Sequence, residues 1–168
     1  MPKIIENLPE RLAEEARRQI EESGFAAMTI RSVAKSCGVG VGTVYNYYPS
    51  KEALVATFML SDWKACIADI QNCADTAENA EAVLRAVSEK LQLFMQQYDA
   101  IFRDEAASGS YTGSTSQYHS VLRDQLASPI RKFCTDDFTA QFVAEAMLTW
   151  TVAGKPFPAL FDVVSKLF

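Results

Sequence analysis

Between Met28 and Lys51 the sequence MTIRSVAKSCGVGVGTVYNYYPSK gathers hydrogen-bond donors at a few positions. Thr43, Tyr45, Asn46, Tyr47 and Tyr48 stand almost side by side, with Arg31 upstream and Lys51 downstream. Hydroxyl groups donate to phosphate oxygens without adding charge, and a guanidinium can fork onto guanine in a major groove. Aromatics at helical spacing are ordinarily core residues. Tyr45 and Tyr47, however, are two positions apart and project about 200° from each other around a helix. At least one of them is expected outside.

Other chemistries find little support. There is no G-x-S-x-G, P-loop or H-E-x-x-H, and the one histidine, His119, lies beside Tyr118 in a loop-to-helix region. The pairs Asp104-Glu105 and Asp136-Asp137 are adjacent in sequence, so on a helix they diverge by about 100°. They read as solvated faces or caps. Cys37, Cys66, Cys73 and Cys134 show no C-x-x-C spacing and are expected to be small buried residues in a reducing compartment. Cys66 and Cys73 share a helix face, which keeps a redox pair as the alternative. No metal or cofactor is expected.

The elements that carry the donor cluster are two short helices around a tight turn. Thr29 caps the first, Val33 and Ala34 lie on its inner face, and Cys37-Gly38-Val39-Gly40 form the turn. The second runs from about Val41 to Tyr48 and stops at Pro49. A pair of helices joined by a short Gly-containing turn is the helix-turn-helix signature, whose second helix can enter a major groove.

The residues Ile30-Arg31-x-Val33-Ala34, Gly38-Val39, Gly42-Thr43-Val44-Tyr45-x-Tyr47-Tyr48 and Ser50-Lys51-Glu52 agree in order and spacing with one family. Through them the chain resembles the TetR family of one-component repressors. The resemblance implies an all-α protein: a three-helix DNA-binding head over residues 1–50, then a helical bundle over 51–168 for ligand binding and dimerisation. It places Thr43, Tyr45, Tyr47 and Lys51 where relatives touch DNA and Tyr48 where they pack an aromatic inward. The full DNA-facing set is Thr29, Arg31, Ser32, Val41, Gly42, Thr43, Tyr45, Asn46, Tyr47 and Lys51. Two departures stand out. Gly40, Val41 and Gly42 leave little polar chemistry for direct base readout, only contact of Val41 with a thymine methyl and close backbone approach through Gly42. Gln19 precedes Ile20 where the family shows an apolar pair.

Charge fits this division. The 168-residue chain carries a net −5, yet residues 1–51 hold seven Lys/Arg against six Glu. Acid is segregated into the remainder, so the head has no basic patch but little repulsion from phosphate either. A hydrophobic share of 49% and a charged share of 22% are those of a globular chain. No run of about 18 apolar residues suggests a membrane span, and MPKIIENLPERL lacks a secretory h-region, so the expected location is cytoplasmic.

Along the chain, Asn7 is the expected cap of a first helix with Pro9 in its first turn, apolar at Leu8, Leu12, Ala16 and Ile20 and ended by Gly24. Phe25 and Met28 should pack beneath it. Ser50 caps a long helix to about Cys73, and Asp75–Asn79 is a turn. Helices follow over Ala80–Tyr98 and Ile101–Ala107, then a Ser/Gly loop over Ser108–Ser116. Helix resumes near Gln117, with Ser128-Pro129 as a kink or a new turn. Asp136 or Asp137 caps a helix to Ala153, and Phe157–Phe168 forms the last segment. Trp63, Cys66, Phe94, Met95, Tyr98, Phe102, Tyr118 and Phe133 are the residues that could line a cavity for an apolar or aromatic effector, a filled core being the alternative. Tyr111 belongs to the same aromatic group. The last two helices are too apolar for a monomer to cover both, so Phe142, Ala146, Trp150, Phe157, Leu160, Phe161 and Val164 are assigned to a homodimer interface. The implied function is a homodimeric repressor on an inverted-repeat duplex operator, released by a small molecule. The rival is a protein–protein interaction module that keeps the fold without specific DNA binding.

Overall fold

The computed structural model describes residues 6–108 and 115–168, without the side chains of 103–108 and 115–118. The Ser108–Ser116 loop and Tyr111 therefore lie largely outside the described residues, as does the side chain of Tyr118. Among the described residues all regular structure is helical: α1 (Leu8–Ser23), α2 (Ile30–Cys37), α3 (Val41–Tyr45), α4 (Lys51–Thr76), α5 (Ala80–Ser108), α6 (Thr115–Ile130), α7 (Asp137–Val152) and α8 (Phe157–Val164). Short 3-10 turns follow α6 and α8. The protein is all-α, with a helix-turn-helix head at its start. None of the described helices is long and apolar enough to cross a membrane.

The chain divides into two compact units, one comprising the residues up to Asp62 with Ala100–Asp104, the other Trp63–Asp99 with Glu105–Phe168. The expected boundary near residue 50 is the start of α4, while the division into units falls within that helix.

In the first unit α1 buries Leu8, Leu12, Ala13 and Ala16, and Ile20 is only half-buried. Asn7 occupies the N-cap, but in a left-handed conformation (φ 55°) and with no side-chain bond to the helix. Its carbonyl accepts from the Arg11 N–H at 3.1 Å, the first i→i−4 bond of the helix, and the expected Asn side-chain cap is not formed. Asn is among the few residues that tolerate this φ. Phe25 and Met28 are buried between α1 and α2 in the sequence, as their apolar character requires. Ser50 caps α4 by accepting from the Ala53 N–H at 3.1 Å, and Leu54, Val55 and Phe58 turn inward. Arg17 forks onto Asp62 at 2.7 and 3.0 Å and lies 4.7 Å from the Phe58 ring centre, tying α1 to this part of α4.

The second unit has one continuous core from Trp63, Ile70, Val83, Leu84, Val87, Leu91, Leu126, Ile130, Val143, Met147, Leu160 and Val164, among others. α5 is a single helix of 29 residues, not the two helices expected. Nothing in Asp99-Ala100 breaks it, since neither residue is Gly or Pro and the buried Tyr98 and Ile101 stay in helical register. Likewise α6 passes through Pro129 to Ile130 instead of starting anew. Asp136 is the cap of α7, accepting from the Thr139 N–H at 2.7 Å.

The apolar residues of the last two helices separate cleanly. Phe157, Leu160 and Val164, assigned from sequence to a dimer interface, are buried in the chain's own core, and Ala146 and Phe161 are half-buried. α8 thus presents one face inward at a spacing of three to four. What remains outside is Phe138, Phe142, Trp150, Val152 and Val163.

Candidate nucleic-acid interface

The motif is built by strong local signals. At the start of α2 the Thr29 hydroxyl accepts from the Ser32 N–H at 3.0 Å, and the Ser32 hydroxyl accepts from the Thr29 N–H at 3.1 Å. This reciprocal box satisfies two of the donors that a helix start leaves open. Ile30, Val33 and Ala34 are buried. Gly38 ends α2 with φ 70°, a left-handed turn that disfavours any residue with a Cβ, and its N–H bonds back to Ala34. The chain then re-enters helix at Val41, where the Thr43 N–H bonds the Gly40 carbonyl at 2.9 Å.

The second helix of the motif is shorter than expected. Its α-helix proper is Val41–Tyr45, although helical hydrogen bonds continue as far as the Tyr48 N–H. Pro49 follows and ends it. Val44 and Tyr48 face the core, and the Tyr48 hydroxyl donates to the Pro9 carbonyl at 3.1 Å. Burial pushes that hydroxyl's pKa up. With these two inward, Tyr45 and Tyr47 are 52% and 49% exposed, so both tyrosines stand outside. Gly42, Asn46 and Arg31 are exposed, and Val41, Thr43 and Ser32 half-buried. A methyl group added to Gly42 would meet no protein atom within 4 Å, so packing does not require glycine there.

Three assigned residues are committed within the protein. The Lys51 ammonium donates to the Phe25 carbonyl and lies 3.9 Å from the Phe25 ring centre, so it reaches back into the head. The Thr29 and Ser32 hydroxyls each accept the backbone N–H of the other residue, and that of Ser32 also donates to Gln19. Arg31 has no hydrogen-bond or ion-pair partner among the described residues.

A polar network absent from the sequence reading underlies α2. Arg18 grips Glu15 at 2.6 and 2.9 Å and Glu22 at 2.6 Å. The Arg18 guanidinium lowers the Glu15 pKa from its ordinary 4.5 to about 2, against opposing burial. Gln19 donates to Glu15 at 2.7 Å and accepts from the Ser32 hydroxyl at 2.5 Å. Gln19 was legible only as a polar residue where an apolar one was expected. An open cleft beside this network is lined by Arg11, Glu14, Glu15, Arg18, Ser36 and Cys37.

The residues assigned to an effector site belong mostly to the second unit. Trp63, Cys66 and Tyr98 are buried, while Phe94, Met95 and Phe133 are half-buried. Trp63 meets Phe94 edge-on at 5.4 Å, and Phe94 packs against Tyr98 at 4.9 Å. The Trp63 indole N–H donates to Gln125 at 2.6 Å, a partner that sequence did not offer. Phe102, half-buried, belongs to the first unit. The four cysteines are free thiols, and burial raises the pKa of Cys37, Cys66 and Cys134, which makes them poorer nucleophiles. His119 is half-buried with Nε2 3.7 Å from a Glu145 oxygen.

A capped helix, a left-handed glycine turn and a short second helix with two outward tyrosines define a helix-turn-helix protein. Residues 12–57 match the profile of the bacterial regulatory proteins of the tetR family. Over these residues the head of the chain is similar to that family. It is 34% identical over 58 residues to the HTH-type transcriptional regulator UidR of Escherichia coli K12, a match covering 34% of this chain and 30% of UidR. Over 46 residues it is 41% identical to the HTH-type regulator YerO of Bacillus subtilis, covering 27% of this chain and 16% of YerO. The fold extends further. Thermus thermophilus FadR, a TetR-family repressor solved with lauroyl-CoA, superposes with a TM-score of 0.67 at 17% identity, covering 95% of this chain and 92% of FadR. AlkX of Dietzia, a repressor implicated in n-alkane biodegradation, gives 0.57 at 14% identity over 95% of each chain.

Proposed function

We propose that the protein is a homodimeric transcriptional repressor that binds an inverted-repeat operator and leaves it when an apolar or aromatic small molecule binds the second unit. The carrying observation is the division of labour in the recognition helix. Val44 and Tyr48 hold it to the core, while Tyr45, Asn46 and Tyr47 point away with Arg31 exposed nearby. Uncharged donors suit a head with almost no net charge, because they add phosphate contacts without counterion release. The lauroyl-CoA of FadR and the alkane setting of AlkX are in keeping with an apolar effector, which would meet Trp63, Phe94 and Tyr98 here.

Lys51 and the Thr29–Ser32 pair favour the second reading, an interaction module, because their donors are engaged internally. Selection from random duplexes at near-physiological salt separates the two. A palindromic consensus bound well above bulk DNA supports the repressor. Recovery of no consensus leaves the interaction module ahead.

A further inference from the structure

We propose that Gln19 positions Arg31 for base recognition by anchoring the first turn of α2 to α1. The inference rests on the DNA-binding reading above and adds a specificity-determining residue outside the recognition helix. α2 has only eight residues, so the fixing of its first turn decides where Arg31 is aimed. The Ser32 hydroxyl has a single proton and two acceptors in reach: Gln19 Oε1 at 2.5 Å and the Thr29 carbonyl at 2.8 Å. The shorter bond goes to Gln19, and it joins the capping box to a helix thirteen residues earlier in the chain.

The Gln19 amide cannot turn freely. Its nitrogen donates to Glu15 at 2.7 Å, and the ionised carboxylate, held by Arg18, only accepts. The carbonyl must then face Ser32. Both ends of one half-buried side chain are used, and the line Arg18–Glu15–Gln19–Ser32 ends beside Arg31. Removing Gln19 leaves the box intact, since the Ser32 proton turns to the Thr29 carbonyl. α2 still forms, but its first turn loses its tether to α1.

The test compares the full chain, Gln19→Leu, Ser32→Ala, the double variant and Arg31→Ala on the selected duplex and its single-base variants. Gln19→Leu should reduce discrimination at the base pair that Arg31→Ala affects, by about fivefold, a portion of what a bidentate base contact supplies. Preference elsewhere, and the salt slope, should stay as in the parent. Ser32→Ala removes the same Gln19–Ser32 bond together with the acceptor of the Thr29 N–H, so discrimination at that base pair should fall at least as far. The double variant should add nothing there to Ser32→Ala, because the bond between the two side chains is already gone. Ser32→Ala also serves if Gln19→Leu folds poorly. Unchanged discrimination, an even loss at all positions, or additive effects overturn the proposal while leaving operator binding in place. A parent protein that selects no sequence removes the DNA-binding reading and this one together.

Discussion

Single residues in the head divide into those that hold it and those that face outward, and the two tyrosine classes make this testable. Tyr48→Phe deletes the bond to the Pro9 carbonyl. It should lower unfolding stability by about 1 kcal/mol, the net contribution of one such bond, and leave the DNA consensus intact. Tyr47→Phe removes a hydroxyl of a half-exposed side chain that has no hydrogen-bond partner among the described residues. Its melting temperature should not move, while affinity falls evenly for all duplexes, as expected of a phosphate donor. Melting scans beside binding titrations check both. Glu15 offers a pH test. Its pKa in the folded chain lies near 2 because Arg18 bonds the charged form, against an ordinary 4.5. A group depressed on folding stabilises above its unfolded value, and that stability disappears as pH falls from about 4.5 towards 2. Glu15→Gln should therefore flatten this part of the stability–pH curve, measured by denaturant titration between pH 2 and 6.

Elements were legible in the sequence wherever local signals govern them. Thr29, Gly38, Ser50, Asp136 and Gly24 each mark a helix end, and each sits at one. Failures came where a local cue had no force against context. Asp99-Ala100 looked like a break only because the apolar pattern thins there, and Pro129 was accommodated inside α6. Ties between distant segments were not readable at all: Gln19 to Ser32, Arg17 to Asp62, and Lys132, whose ammonium bonds the Ala74 and Ala77 carbonyls at the end of α4. Each depends on which helices pack together, and no spacing rule encodes it. A cation on the last carbonyls of a helix contributes about 0.3–1 kcal/mol, whereas loss of a side-chain N-cap typically costs about 1. Asp136→Ala should thus destabilise more than Lys132→Met. Chemical denaturation of both variants measures the order, and equal or reversed costs would show that the α7 cap is not limiting.

At the scale of the molecule the outstanding feature is apolar surface that no part of the described chain covers. Phe138 is 76% exposed, Val163 64%, Phe142 54% and Trp150 49%, all on α7 and α8. Phe138, Phe142 and Trp150 recur along α7 at spacings of four and eight, so they form one stripe, and such a stripe in water invites a like surface. A two-fold pairing would bury it against its own copy and set two heads on one duplex, which is what an inverted repeat demands. The inward residues give the control that sequence could not supply. Trp150→Glu places charge on the stripe without entering the core, and should yield folded monomers that have lost operator affinity. Leu160→Glu, at a position only 8% exposed, should unfold the second unit instead. Sedimentation at micromolar concentration, read beside circular dichroism, distinguishes these outcomes. A parent protein that sediments as a monomer, or a Trp150→Glu variant that remains dimeric and still binds the operator, would remove this stripe as the dimer contact.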